Sequence, residues 1–276
     1  MYSIKNLIRT ALEEDIGSGD ITTDNIIGSD LSGSGEIIAK EPLIIAGLDI
    51  ARQVFEELDP GTIFTPAYSD GDSVNKGEKV LEVRGTLRAL LKGERTALNF
   101  LQRLSGIASN VHSYVNVLKG KPVRLVDTRK TAPGWRTLEK YAVRTGGAYN
   151  HRMGLYDGVL IKDNHIAVSG SIDKAVKKVR ENISHLIKVE VEVTNMDEVQ
   201  QALDAKADII MLDNMDIPRI TAAVKLINKA ALVEVSGNVT IDNLSGLADT
   251  GVDIISSGAL THSAGSVDLS MRINLC

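Results

Sequence analysis

Apolar residues in the second half of the chain occur in short runs separated by helical patterns. The runs are VRLV from residue 123, GVLI from 158, LIKVEVEV from 186, DIIML from 208, ALVEV from 231 and VDIIS from 252. Between them, segments such as 196–207 and 217–230 place apolar residues three and four positions apart. Thr194, Asp216 and Thr240 are suited to cap the helices that follow them. This alternation predicts a parallel sheet whose strands are connected by helices.

Polar residues follow the end of each apolar run. They are Asp127 with Arg129 and Lys130, Lys162 with Asp163, Glu192, Asp213, Ser236 with Gly237, and Ser256 with Gly258. In a barrel the carboxyl ends of all strands meet at one mouth, so these residues converge there. An open doubly wound sheet disperses most of them, and the chain contains no glycine-rich dinucleotide or P-loop motif. The pattern favours an α/β barrel one strand short of eight.

The first part of the chain has a different pattern. Residues 33–48 and 72–91 alternate like strands and turns, and an apolar stripe predicts a long helix over 94–118. The stretch 70–85 has the shape of a hairpin in biotinyl and lipoyl carrier domains, without their methionine-flanked lysine. The tail again alternates apolar and polar residues. We therefore predict an N-terminal domain at 1–113, a barrel at 114–265, and a C-terminal strand at 266–276 that returns to the N-terminal domain.

Composition excludes several classes of protein. The formal net charge is -5 and the pI is about 5.6, which argues against binding of nucleic acid. No apolar run approaches the ~20 residues that cross a bilayer, and the first residues do not resemble a signal or transit peptide. The single cysteine, Cys276, provides neither a disulfide nor a cysteine-based zinc site. We expect a cytoplasmic protein that does not bind membranes.

Cations are concentrated in residues 127–166 of this acidic chain. They are Arg129, Lys130, Arg136, Lys140, Arg144, Arg152 and Lys162, accompanied by His151 and His165. Arginine binds carboxylate or phosphate through two parallel hydrogen bonds, and lysine supplies a mobile charge. The block predicts a site for a small, multiply charged anion. Lys162 has two interpretations, a Schiff-base nucleophile or a permanent cation that pairs with substrate.

Carboxylates and small residues end the later strands. Glu192 and Asp213 end successive runs, an arrangement that suits Mg²⁺ bound with phosphate, ribose hydroxyls, or positive charge developing on a sugar. Glu190 alternates with Glu192 and is expected on the same face. The segments 236–238 and 256–259 are rich in serine and glycine, which allow backbone N–H groups to approach a phosphate.

Taken together, the motifs resemble one enzyme family. EDIGSGDITT at 14, ERTALNFLQRLSGIA at 94, DTRKTAPGWRTLEKYAVRTGG at 127, NHRMGLYDGVLIKDNHI at 150, VEVEV at 189, IIMLDNM at 209, EVSGN at 234 and GVDIISSGALTHS at 251 are similar to quinolinate phosphoribosyltransferases. The resemblance implies an N-terminal α/β sandwich domain, an incomplete seven-stranded, TIM-like α/β barrel, and a homodimer or higher oligomer. It also implies transfer of a phosphoribosyl group from 5-phosphoribosyl-1-pyrophosphate (PRPP) to quinolinate in NAD biosynthesis, giving nicotinate mononucleotide, pyrophosphate and CO₂.

The resemblance also implies roles for individual residues. The cations Arg129, Lys130, His151, Arg152 and Lys162 would surround the quinolinate carboxylates and the pyrophosphate, and Arg95 would come from the partner subunit. Glu192 and Asp213 would face the ribose hydroxyls and Mg²⁺. Ser236, Gly237, Gly258 and Ala259 would hold the 5-phosphate, and Thr128, Asn238 and Ser257 complete the substrate-binding set. Lys130, Lys162, Glu192 and Asp213 are the expected catalytic residues.

Three alternatives remain open from the sequence. The first is a paralogue with the same architecture, such as the molybdenum-transport-associated protein. The second is a Schiff-base aldolase that uses Lys162 or Lys130. The third is a non-enzymatic carrier built on the segment 70–85.

Overall fold

A computed structural model describes residues 4–275, and Cys276 lies outside the described residues. The strands are β1 (Ser32–Ala39), β2 (Leu43–Ile44), β3 (Ile63–Pro66), β4 (Ser73–Val74), β5 (Lys79–Thr86), β6 (Arg124–Val126), β7 (Val159–Ile161), β8 (Val189–Val193), β9 (Ile209–Asp213), β10 (Leu232–Ser236), β11 (Ile254–Ser256) and β12 (Leu269–Leu275). The helices are α1 (Ile4–Ile16), α2 (Ile21–Ile26), α3 (Leu48–Leu58), α4 (Leu87–Val117), α5 (Arg136–Thr145), α6 (Asp163–Ser169), α7 (Ile172–Arg180), α8 (Met196–Asp204), α9 (Ile217–Ile227), α10 (Ile241–Ala248) and α11 (Ala259–His262). None of these helices combines the length and the apolar character needed to cross a lipid bilayer.

The N-terminal unit contains an antiparallel sheet in the order β12-β1-β5-β3. Alternate residues of β1 are buried, so one face of the sheet packs against the core. Helix α3 contributes Val54 and Phe55 to that core. The alternating tail of the chain is β12, which pairs with β1 from Gly33 opposite Leu275 to Ala39 opposite Leu269.

Two local predictions for this unit are wrong. Residues 87–91, predicted as strand, begin helix α4, since Leu, Arg and Ala are strong helix formers. The segment 70–85 does not form a hairpin, because β4 pairs with β2 while β5 pairs with β1 and β3. The carrier-like shape in the sequence therefore reflects a turn between strands of different sheets.

Helix α5 belongs to the N-terminal unit, although its sequence lies inside the segment 114–265 assigned to the barrel. The unit comprises the described residues up to His112, Ala132–Gly147, and those from Ala264 onward. Trp135 stacks on Phe100 of α4 with ring centroids 4.9 Å apart. Arg103 of α4 forms a 2.8 Å ion pair with buried Glu139. These contacts attach α5 to α4.

The second unit is the predicted barrel. Its parallel strands follow the order β6-β11-β10-β9-β8-β7, and they coincide with the six apolar runs. Tyr149 forms a parallel bridge to Val126 of β6 and so supplies a seventh strand position. Within residues 4–275 no strand pairing joins Tyr149 to β7, which leaves the barrel incomplete. The predicted fold class, an N-terminal sandwich with an incomplete α/β barrel, is confirmed.

The barrel helices start at the expected places with one exception. Asp216 caps α9 by accepting the Arg219 N–H, and Thr240 caps α10 in a reciprocal arrangement with Asn243. Helix α8 is capped by Asn195 rather than by Thr194, because the Asn195 side chain accepts the Glu198 N–H.

Candidate active site

A cavity of about 660 Å³ lies at the carboxyl ends of the barrel strands. Its lining draws on every strand position, from the turn after β6 to the end of β11. The predicted site residues that line it are Thr128, Arg129, Lys130, His151, Arg152, Lys162, Glu192, Asp213, Ser236, Gly237, Asn238, Ser257, Gly258 and Ala259. Among the predicted site residues only Arg95 is absent from this lining, and it is exposed on α4.

The turn after β6 is fixed by hydrogen bonds from both sides. The Thr128 hydroxyl accepts the Lys130 backbone N–H at 3.1 Å, and the Thr261 hydroxyl donates to the Lys130 carbonyl at 2.8 Å. The Lys130 side chain crosses Gly258 so closely that a Cβ there would lie 2.8 Å from Lys130 Cδ. Gly258 therefore leaves the space through which Lys130 reaches the cavity.

The NHR segment after Tyr149 is anchored on Asp127, a fully buried carboxylate at the end of β6. Asp127 accepts the His151 backbone N–H at 2.8 Å and the Asn150 side-chain N–H at 2.7 Å. Arg152 donates from Nη1 to the Gly158 carbonyl at 2.9 Å. The pKa of Arg152 is lowered, first by burial and then by the charge of Arg129. The charge of Glu190 opposes this shift only in part.

The ring nitrogens of His151 contact the protein. Nδ1 accepts the Arg152 backbone N–H at 2.8 Å. Nε2 lies 3.2 Å from Glu190 Oε2 and 3.6 Å from Glu234 Oε1. His151 therefore lines the cavity, and its ring nitrogens contact Arg152, Glu190 and Glu234. The contact of His151 with a substrate carboxylate stays a prediction.

Lys162 and Glu192 form an ion pair across β7 and β8. Lys162 also starts helix α6, where its backbone N–H donates to His165 Nδ1 at 2.9 Å. On the next strand, Asp213 accepts a hydrogen bond from the Asn214 side chain at 2.8 Å. The predicted cationic and acidic walls thus touch at Lys162 and Glu192.

The loops after β9 and β10 are joined by one side-chain and one backbone hydrogen bond. Asn238 donates to Asn214 Oδ1 at 3.0 Å, and the Asn214 N–H donates to the Ser236 carbonyl at 3.0 Å. Gly237 has φ +90°, and a Cβ there would lie 2.2 Å from Asn214 Oδ1. Only glycine fits this conformation and this space.

The cavity has further lining residues outside the predicted set: Leu160, Met211, Asn214, Val239, Ser256 and His262. Asn214 follows Asp213 at a strand end, so its position alone could have identified it. Ser256 was recognised from the sequence as the end of an apolar run, without an assigned role in binding. His262 lies on α11, beyond the strand-end pattern. The apolar residues carry no chemical signal in the sequence.

Comparison with known families decides what the chain is related to. The profile "Quinolinate phosphoribosyl transferase, C-terminal domain" matches residues 107–272, and "Quinolinate phosphoribosyl transferase, N-terminal domain" matches residues 20–105. The chain belongs to the quinolinate phosphoribosyltransferase family.

Individual relatives agree with this assignment over nearly the whole chain. A probable nicotinate-nucleotide pyrophosphorylase [carboxylating] of Bacillus subtilis is 45% identical over 99% of this chain and 94% of its own length. A protein of the same name from Synechocystis is 48% identical over 95% of this chain and 90% of its own. The crystal structure of NadC from Streptococcus pyogenes superposes with a TM-score of 0.95 at 42% identity, covering 99% and 97% of the two chains.

Proposed function

We propose that the cavity at the strand ends is the active site of a quinolinate phosphoribosyltransferase. The activity, in NAD biosynthesis, follows from the family and from relatives that match almost end to end. The observation that carries the assignment to this cavity is the convergence of cations, carboxylates and serine-glycine loops from all the strand positions. Quinolinate is a dicarboxylate, and PRPP carries a pyrophosphate and a 5-phosphate. Both anions need cations and backbone N–H groups in the site that binds them.

The cation wall, defined as Arg129, Lys130, Arg152 and Lys162, binds the quinolinate carboxylates and the pyrophosphate. Bidentate arginine contacts orient a planar carboxylate, and the lysines neutralise phosphate charge. A monocarboxylate would leave a partly buried cation unpaired, which costs on the order of a few kcal/mol. The wall therefore selects a pyridine dicarboxylate.

Glu192 and Asp213 face the ribose. Positive charge develops on the anomeric carbon as its bond to pyrophosphate breaks, and fixed carboxylates stabilise that charge in the transition state. Their oxygens, on adjacent strands in one cavity, are also the donor type that Mg²⁺ prefers. Mg²⁺ bound with PRPP supplies charge neutralisation for the leaving pyrophosphate. Lys162, paired with Glu192, adds a protein cation at the same place.

The 5-phosphate binds at the loops that end β10 and β11. Ser236, Gly237 and Asn238 form one loop, and Ser257, Gly258 and Ala259 form the other. Small residues allow backbone N–H groups to approach phosphate oxygens, and barrels commonly bind phosphate at these strand ends.

The reaction then balances without a redox cofactor. The pyridine nitrogen forms a bond to the anomeric carbon while the carbon–oxygen bond to pyrophosphate breaks. The ring nitrogen becomes cationic, and when the adjacent carboxylate leaves as CO₂ the electron pair of the broken bond stays on the ring carbon, where the neighbouring positive charge stabilises it. A proton then replaces the carboxylate on the ring carbon.

The proposal includes a homodimer in which Arg95 enters the partner's cavity. It is supported by the exposure of Arg95 on α4 and by its absence from the residues that line the cavity of its own chain within 4–275. An arginine there would add a further cation for the substrate carboxylates. Cytoplasmic location stays a prediction from the sequence.

The direct test is purified protein with quinolinate, PRPP and Mg²⁺, followed for nicotinate mononucleotide and CO₂. We expect both products in equal amounts, and loss of turnover when EDTA removes the metal. Turnover of nicotinate but not quinolinate would refute the assignment. Borohydride trapping of a lysine adduct with a carbonyl substrate would instead support the aldolase alternative.

A further inference from the structure

Two buried glutamates lie inside the barrel behind the cation wall. Glu190 on β8 is 4% exposed and Glu234 on β10 is 1% exposed, and neither lines the 660 Å³ cavity. The Oε1 atoms of both residues accept no hydrogen bond from the part of the chain that the structure describes. Burying carboxylates in this way costs free energy unless a cation or a hydrogen-bond donor pairs with them.

The two carboxyl groups converge on the ring of His151. Nε2 is within 3.2 Å of Glu190 and 3.6 Å of Glu234, while Nδ1 accepts the Arg152 backbone N–H. A neutral imidazole that accepts at Nδ1 carries its proton on Nε2. The Nε2 proton therefore points between the two carboxyl groups.

This tautomer argues against a metal ion in the cluster. The ligand atoms of His151, Glu190 and Glu234 lie within 4.8 Å of one another, close enough to bind one ion. A histidine that ligates through Nε2 normally donates a proton from Nδ1 to a second group. Here Nδ1 faces an N–H donor, so the geometry favours a hydrogen-bonded cluster over a metal site.

The cluster is coupled to Arg152 through the backbone. The His151 ring accepts the Arg152 N–H, Asp127 accepts the His151 N–H, and Gly158 accepts from the Arg152 guanidinium. Arg152 and His151 also line a second barrel cavity of about 630 Å³, together with Glu190 and Glu234. Arg152 and His151 thus line both this second cavity and the cavity at the strand ends.

We propose that Glu190 and Glu234 are positioning residues that hold His151 in one tautomer and one orientation, and thereby fix Arg152 where a quinolinate carboxylate binds. The inference rests on the proposed function of the cavity. In this proposal His151 orients Arg152 from within the cavity wall, and Arg152 makes the contact with the substrate.

The kinetic test compares Glu190→Ala with Glu190→Gln. Loss of the closer acceptor in Glu190→Ala should raise KM for quinolinate about tenfold and change KM for PRPP less than about threefold. Glu190→Gln should recover most of the loss, because an amide oxygen can still accept the Nε2 proton. The control is Val199→Ala, a fully buried barrel position outside the cavity, which should lower Tm without raising either KM.

An activity-independent test reads the tautomer directly. Protein labelled with ¹⁵N-histidine should show His151, identified by its absence in His151→Gln, as the Nε2–H form, and Glu190→Ala should show a mixture of tautomers. An Nδ1–H form in the wild type, equal rises in both KM values, or Zn²⁺ binding lost in His151→Gln would overturn the proposal. If the wild type does not turn over quinolinate, the proposed function is refuted, and so is the proposed role of Arg152 in binding a quinolinate carboxylate. The spectrum then still reports on the cluster.

Discussion

Lys162, directly after β7, and Glu192 on the neighbouring strand β8 form an ion pair inside the cavity at the strand ends. In the proposed site, this pair links the cations assigned to pyrophosphate with the carboxylates assigned to the ribose. In the proposed site the two side chains act together on opposite charges of one reacting bond.

The pair predicts non-additive kinetics. Lys162→Met and Glu192→Gln should each lower kcat/KM by roughly 10²–10³-fold, typical for removal of a transition-state contact. The double variant should lose little more than the worse single variant, because either change already disables the unit. The surface pair Lys121 and Asp249, at 2.6 Å, is the control, and alanine at either position should leave activity near wild type. Additive losses would show that Lys162 and Glu192 work separately.

Subunit complementation tests the position of Arg95. Arg95→Ala and Lys162→Ala protein should each be inactive alone. After mixing and subunit exchange, a hybrid dimer rebuilds one intact site, so roughly a quarter of wild-type activity should return. Mixing two separately prepared batches of Lys162→Ala is the control. Absence of recovery after verified exchange would place Arg95 in the site of its own chain.

Gly237 predicts a steric effect at the phosphate loop. Gly237→Ala combines a positive φ with a Cβ 2.2 Å from Asn214 Oδ1. Gly120→Ala is a matched control, since its φ is +83° and nothing lies within 4 Å of its Cβ. The control should lose about 1–2 kcal/mol of unfolding free energy from the backbone alone. Gly237→Ala should lose more and should also raise KM for PRPP, measurable by urea unfolding and steady-state kinetics. Equal losses without a change in KM would mean that the loop adapts.

Glu234 predicts a dependence of stability on pH. Burial and the charge of Glu190 raise its pKa from 4.5 to about 7. Below pH 4.5 the carboxyl is protonated in both the folded and the unfolded chain. Between pH 4.5 and 7 the unfolded chain loses the proton while the folded chain keeps it, so the free energy of unfolding falls as pH rises, by up to roughly 3 kcal/mol.

Glu234→Gln removes this contribution. The Tm of the variant minus the Tm of wild type should therefore increase by several degrees from pH 5 to pH 8. Thermal unfolding followed by circular dichroism measures this difference. The exposed Glu181→Gln should follow the wild-type curve at every pH. A constant difference between Glu234→Gln and wild type across this range would show that Glu234 does not change protonation there.

The barrel strands and the strand-end chemistry could be predicted from sequence because both are local. A run such as DIIML followed by Asp213 carries its own periodicity and its own terminal polar residue, and parallel strands bring such ends together. The same reasoning did not place helix α5. Its attachment depends on Phe100 and Arg103, which are distant in sequence from Trp135 and Glu139.

The sequence by itself determined the family, the barrel and the residues at its mouth, since each depends on order along the chain. Tertiary structure alone decided which charges meet. Alternation places Glu190 and Glu192 on one face of β8, but only the folded barrel pairs Glu192 with Lys162 and brings Glu190 to His151 beside Glu234. Distances between side chains on different strands depend on the closure of the whole sheet, and no local pattern encodes that closure.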